Sequence, residues 1–106
     1  MTKVCVDPGI CGLKTTLEIE KLSAKRVKVG IQSQCDAMVK MGEALGELDT
    51  YHEVFSEFGK SSTFEMAQKH CKHAACPVPT AILKGIEVEC GLALAADVHM
   101  EIITKQ

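Results

Sequence analysis

The chain has no tryptophan, one tyrosine and three phenylalanines, so its core has to be built from Val, Ile, Leu, Met and Cys. The four rings, Tyr51, Phe55, Phe58 and Phe64, all fall in one short stretch. No apolar run approaches the ~20 residues of a membrane-spanning helix. Met1 to Pro8 alternates polar with apolar residues where an export signal would have a continuous apolar core. These absences point to a cytoplasmic chain with no membrane contact. Charge of one sign is missing too: 12 Lys and Arg face 14 Asp and Glu, for a formal net charge of −2. The basic residues are scattered along the chain, so nothing forms the phosphate-neutralising patch of a nucleic-acid partner. The sequence holds no P-loop, no dinucleotide fingerprint and no Ser/His/Asp arrangement, and Gly9-Ile10-Cys11-Gly12 is too short to cradle a phosphate.

At 106 residues, 46% hydrophobic and 25% charged, the chain has the size and composition of a single domain, residues 1–106. Five methionines give that core adaptable packing. Val4 and Val6 alternate with Lys3, Cys5 and Asp7 as a first strand, closed by Pro8-Gly9. Leu17 and Ile19, then Val27, Val29 and Ile31 around a Ser23-Ala24-Lys25 turn, read as a hairpin with one apolar face. Ser33-Gln34-Cys35-Asp36 has the form of a capping box, and Met38, Val39, Leu45 and Leu48 carry a helix to about Leu48. Asp49 caps a short second helix. Ser62-Thr63-Phe64-Glu65 opens a third, in which Cys71 lies on the apolar stripe. Cys76-Pro77-Val78-Pro79 starts a fourth, with Ile82, Leu83, Ile86 and Cys90 on its stripe. Val98, Met100 and Ile102 then alternate as a last strand. The expected order is βββααααβ, a two-layer α+β domain with a mainly antiparallel four-stranded sheet covered by helices on one face.

Six cysteines are several times the usual frequency, and in a reducing compartment they point to core packing, redox chemistry or metal binding rather than a disulfide framework. Cys71 and Cys90 sit in register with helical stripes and suit the core. Cys5 lies on the strand face opposite Val4 and Val6. Cys11, Cys35 and Cys76 share a different setting, at the ends of elements. A helix mouth favours an anion, which suits a thiolate at Cys35 or Cys76. A hairpin between strands two and three puts the Cys11 loop and Cys35 at one edge of the sheet. Three thiolates leave a tetrahedral ion one ligand short, with His73, Cys71, His70 and Asp36 as candidates for the fourth. The Glu43/Glu47 pair and Glu87 and Glu89 read as solvated helix surface.

Two resemblances attach to these residues. Ile10-Cys11-Gly12, His73-Ala74-Ala75-Cys76-Pro77-Val78-Pro79 and Gly91-Leu92-Ala93-Leu94 resemble a family of small uncharacterised microbial proteins, which implies one cytoplasmic domain and no particular reaction. The order of Cys11-Gly12, Cys35 and Cys76 is similar to IscU- and NifU-type iron–sulfur scaffolds, with His70-Cys71 a competing match for the third position. This chain departs from that pattern at Leu13, where the scaffolds carry an acidic residue. The resemblance implies a scaffold or carrier that exchanges metal or cluster with a donor or acceptor protein.

Three functions stay open. The first is an iron–sulfur or Zn2+ site built on Cys11, Cys35 and Cys76 with Cys71 or His73, and no enzymatic reaction. The second is a thiol redox or cysteine-nucleophile protein in which Cys35 or Cys76 is the reactive thiolate and Cys11 resolves it. The third is a small interaction module whose cysteines fill space.

Overall fold

Three runs of alternating side chains become three antiparallel strands, β1 (Thr2–Val6), β2 (Thr15–Lys21) and β3 (Arg26–Ser33), in the computed structural model, which describes residues 1–105. Leu17 pairs with Ile31 and Ile19 with Val29 across the hairpin. Its tight end closes at Leu22, whose N–H donates to the Arg26 carbonyl at 2.9 Å. Leu17, Ile19, Val27 and Val29 are buried on one face, while Glu18, Glu20, Lys28 and Gly30 are exposed on the other. Each fully buried aliphatic side chain contributes about 1.5–3 kcal/mol.

The helical half comprises α1 (Asp36–Leu45), α2 (Thr50–Phe55), α3 (Ser62–His70) and α4 (Val78–Glu89), with a three-residue strand β4 (Glu47–Asp49) between the first two. α1 lies on β3, and α4 crosses β1 and β2. α3 packs on α1 and α4 from outside, and α2 leans on α4. Met38, Met41 and Leu45 of α1 and Val78, Ile82 and Ile86 of α4 complete the core. The sheet order is β1-β2-β3-β4, so the α+β class, the four antiparallel strands and the helical cover on one face are as expected.

The element order is not. It runs βββαβααα. α1 stops at Leu45 rather than near Leu48, because Gly46 takes φ +61° and turns the chain back alongside β3. Leu48 is buried, as its helical spacing implied, but it gets there from β4, opposite Val27. The expected last strand does not form. Val98, Met100 and Ile102 keep their alternation but are 65%, 79% and 86% exposed, and no described residue after Leu92 lies in a helix or strand. The edge beside β3 is held by β4, and the segment does not reach the outer edge of β1 in its own chain.

Glu89 also departs from expectation. It accepts from the Lys21 N–H at 2.9 Å and from Thr2 Oγ1 at 2.8 Å, tying the end of α4 to β1 and β2. The Lys21 amide, helped by Thr2, holds its carboxyl below the usual carboxylate range.

Both sheet-covering helices make their closest approach at a glycine. A Cβ on Gly85 would lie 2.1 Å from Ile19 Cδ1 and 2.9 Å from Val4 Cγ2, and one on Gly42 would lie 2.9 Å from Ile31 Cβ. Gly85→Val therefore lifts α4 from β1 and β2. The expected loss is about 2 kcal/mol, the usual scale for overpacking, read as a lower urea midpoint in equilibrium unfolding.

Candidate functional site

The corner where α1 begins, α3 ends and α4 begins collects three of the six thiols. Cys35 is the N-cap of α1; its carbonyl accepts from the Met38 and Val39 N–H groups, and its own N–H donates to Ser33 Oγ at 3.0 Å. Ser33, expected as the cap, instead anchors the approach to the helix, with its hydroxyl 2.7 Å from Thr15 Oγ1. Cys71 caps the far end of α3, where its N–H donates to the Ala67 carbonyl at 2.8 Å. Five residues later the Cys76 N–H donates to the His73 carbonyl at 3.3 Å, and Pro77 leads into α4.

The start of α3 is held by a residue that no local pattern singles out. Glu53 of α2 is 2% exposed; its carboxylate accepts from the Ser62 N–H at 3.0 Å, the Thr63 N–H at 2.8 Å and Thr63 Oγ1 at 2.5 Å. It places negative charge on the first-turn amides of α3, where the helix dipole favours it. Ser61 is the N-cap, one residue before the serine expected in that role, and accepts from the Phe64 N–H at 3.2 Å. Only the fold brings Glu53 to residues nine and ten positions on, so no local pattern announces it.

Cys76 is near enough to act on the Cys71 thiol, and Cys35 is near enough to act on it through its charge. Burial first, then the charge of Cys76, its hydrogen bond and the charge of Cys35, push the Cys71 thiol up to about 11. Cys71 therefore keeps its proton at neutral pH. All three cysteines are half-buried against the edge of the core. Beside Cys71 and Cys76 opens a cavity of about 340 Å3, lined also by Phe64, Ala67, His73 and Pro79.

The expected trio thus divides. Cys35 and Cys76 come to the same corner, joined by Cys71, while Cys11 is exposed in the β1–β2 loop. That loop does sit at the same end of the sheet as Cys35: Thr15 pairs with Ser33, and the Lys14 N–H donates to Gln34 Oε1 at 3.3 Å. His73 lines the cavity, His70 ends α3 and Asp36 begins α1. Cys90 caps the end of α4 with its sulfur 3.6 Å from Thr50 Oγ1, and Cys5 is exposed on the uncovered face of β1. Among the described residues no group of three or more His, Cys, Asp and Glu side chains is arranged to hold a metal ion.

Residues 2–102 match the model of a family of unknown function (DUF6951). No curated protein and no solved structure matches the chain.

Two outcomes check this geometry. Glu53→Ala leaves the α3 amides and Thr63 without their buried acceptor and costs about 2–3 kcal/mol in chemical unfolding. In iodoacetamide labelling at pH 8 followed by peptide mass mapping, Cys71 reacts about 100-fold more slowly than a thiol at the ordinary 9.0, because its thiolate fraction falls tenfold per unit. Its rate climbs with pH until about 11, and Cys76→Ser speeds it.

Proposed function

We propose that this chain, which belongs to that family of unknown function, is a dithiol protein whose Cys71–Cys76 pair exchanges electrons with a disulfide partner in the cytoplasm. The observation that carries this is the closeness of Cys76 to the Cys71 thiol, which feels its charge, beside a cavity that both residues line. Two sulfurs suffice for this chemistry.

In the exchange, the Cys76 thiolate attacks one sulfur of the partner disulfide, and the other partner sulfur leaves as a thiolate. Cys71 passes its proton to that leaving group and attacks Cys76 Sγ in the mixed disulfide, expelling the second partner sulfur, which takes a proton from water. The partner gains two electrons and two protons, and the chain keeps a Cys71–Cys76 disulfide. The burial that holds the Cys71 proton keeps the second step waiting for the first. This gives Cys71 the resolving role that the sequence had offered to Cys11.

A second reading is favoured by Cys35, the third thiol in reach of Cys71, together with the Cys11 loop at the same end of the sheet. In it Cys35, Cys71 and Cys76, joined by Cys11 or His73, bind Zn2+ or an iron–sulfur cluster for delivery to another protein.

One experiment separates the two. Anaerobically purified protein is assayed for zinc, iron and sulfide, then titrated with oxidised glutathione and mapped by non-reducing mass spectrometry. The dithiol reading expects no stoichiometric metal, a Cys71–Cys76 disulfide in the parent, and a glutathione adduct trapped on Cys76 in Cys71→Ser. A disulfide between other cysteines, or none, overturns it. Stoichiometric metal lost together in Cys35→Ser, Cys71→Ser and Cys76→Ser replaces it with the second reading.

A further inference from the structure

We propose that the C-terminal segment Val98–Ile103 is an exchanged edge strand, which pairs with the free edge of β1 in a second copy of this chain and receives that copy's segment in return. The proposal rests on two unpartnered features of one molecule that match each other.

The first is the segment. Leu94, Val98, Met100, Ile102 and Ile103 are all largely exposed. Val98, Met100 and Ile102 alternate with His99 and Glu101, the period of a strand with one buried face. A row of large apolar side chains left in water costs free energy that a partner surface recovers.

The second is β1. It is an outer strand, bonded to β2 on one side only. Its inward residues Thr2, Val4 and Val6 are half-buried, whereas Thr15, Leu17 and Ile19, facing the same way on β2, are buried. The apolar face therefore ends one strand short of full cover. Unprotected edges of this kind are templates for another strand. The two sides are commensurate: β1 has five residues, and the segment from 98 to 103 has the length to pair with all of them. With Val98, Met100 and Ile102 turned toward the helices beside Val4 and Val6, Glu101 and His99 fall on the uncovered face with Lys3. Opposite charges in neighbouring strands favour the pairing.

A second copy is the occupant because donor and acceptor are both present in every molecule. One two-fold arrangement then satisfies both edges of the pair and closes, as a self-complementary interface does.

The test uses the full chain in reducing agent, which removes disulfide links through the exposed Cys5 and Cys11. Light scattering after size exclusion, from micromolar to near-millimolar protein, is expected to give the mass of two 11.5 kDa chains, and the double variant Met100→Asp, Ile102→Asp the mass of one. Both residues are exposed, so the variant keeps the helical far-UV circular dichroism and the urea midpoint of a folded chain. Hydrogen exchange is expected to show slow amides in 98–103 and in alternate residues of β1 in the parent, lost in the variant. A parent that is monomeric throughout overturns the proposal, including one whose segment is protected by its own β1. So does a dimer that survives both substitutions.

Discussion

Two glycines decide how closely the helices can lie on the sheet, and the thiol corner inherits its geometry from them. Gly85 lets α4 press onto Ile19 and Val4, and Gly42 lets α1 press onto Ile31, at separations that leave no room for a methyl group. Protein cores are packed to the density of crystals, so a displaced helix cannot be absorbed by slack nearby. α1 begins at Cys35, and α4 begins two residues after Cys76. The placement of those two helix starts is therefore governed by contacts about two turns away, made by residues with no chemistry of their own.

The third thiol depends on a different kind of constraint. α3 lies mainly on α1 and α4, outside the layer that covers the sheet. The buried carboxylate of Glu53 supplies what packing does not, taking three hydrogen bonds at the start of α3, and Cys71 sits at the other end of the same helix. Glu89 plays a comparable part at the end of α4. Among the described residues no buried side-chain nitrogen or oxygen lacks a partner, so these polar ties cost little and hold direction as well as distance.

Much of this was legible before any coordinates. A period of two leaves little freedom, and the hairpin of β2 and β3 followed from it with its apolar face correctly assigned. Asp49 was legible as a cap, and its side chain accepts from the His52 N–H. β4 was not, because a three-residue strand with one apolar side chain, Leu48, is too short to show a period. It continues the helical spacing of α1, and only the positive φ of Gly46 breaks that continuity. Cys71 completes the stripe of α3, which suits the core as well as a fourth ligand. The stripe was real, but at the final residue of a helix it faces the corner where the next segment returns, and that return was not encoded locally. The alternation of Val98, Met100 and Ile102 was read correctly as a strand pattern and wrongly as a strand of this sheet, since pattern states readiness to pair and says nothing about which edge is free.

That distinction also governs the cysteines. A thiol at the end of an element is ready for chemistry, but its role is decided by its neighbours. Cys11 has the backbone freedom of a glycine-flanked loop and lies exposed at the right end of the sheet, whereas Cys71, half-buried, has two thiols acting on it. Burial and like charge both act against ionising Cys71; a bond from Cys76 to another atom would remove the charge of Cys76 and leave the burial in place. The choice between a disulfide and a metal then falls to the number of sulfurs that reach a common point. A disulfide needs only two sulfurs, and Cys76 is the thiol that acts most on Cys71. A metal needs Cys35, and one further ligand, to close the remaining gap.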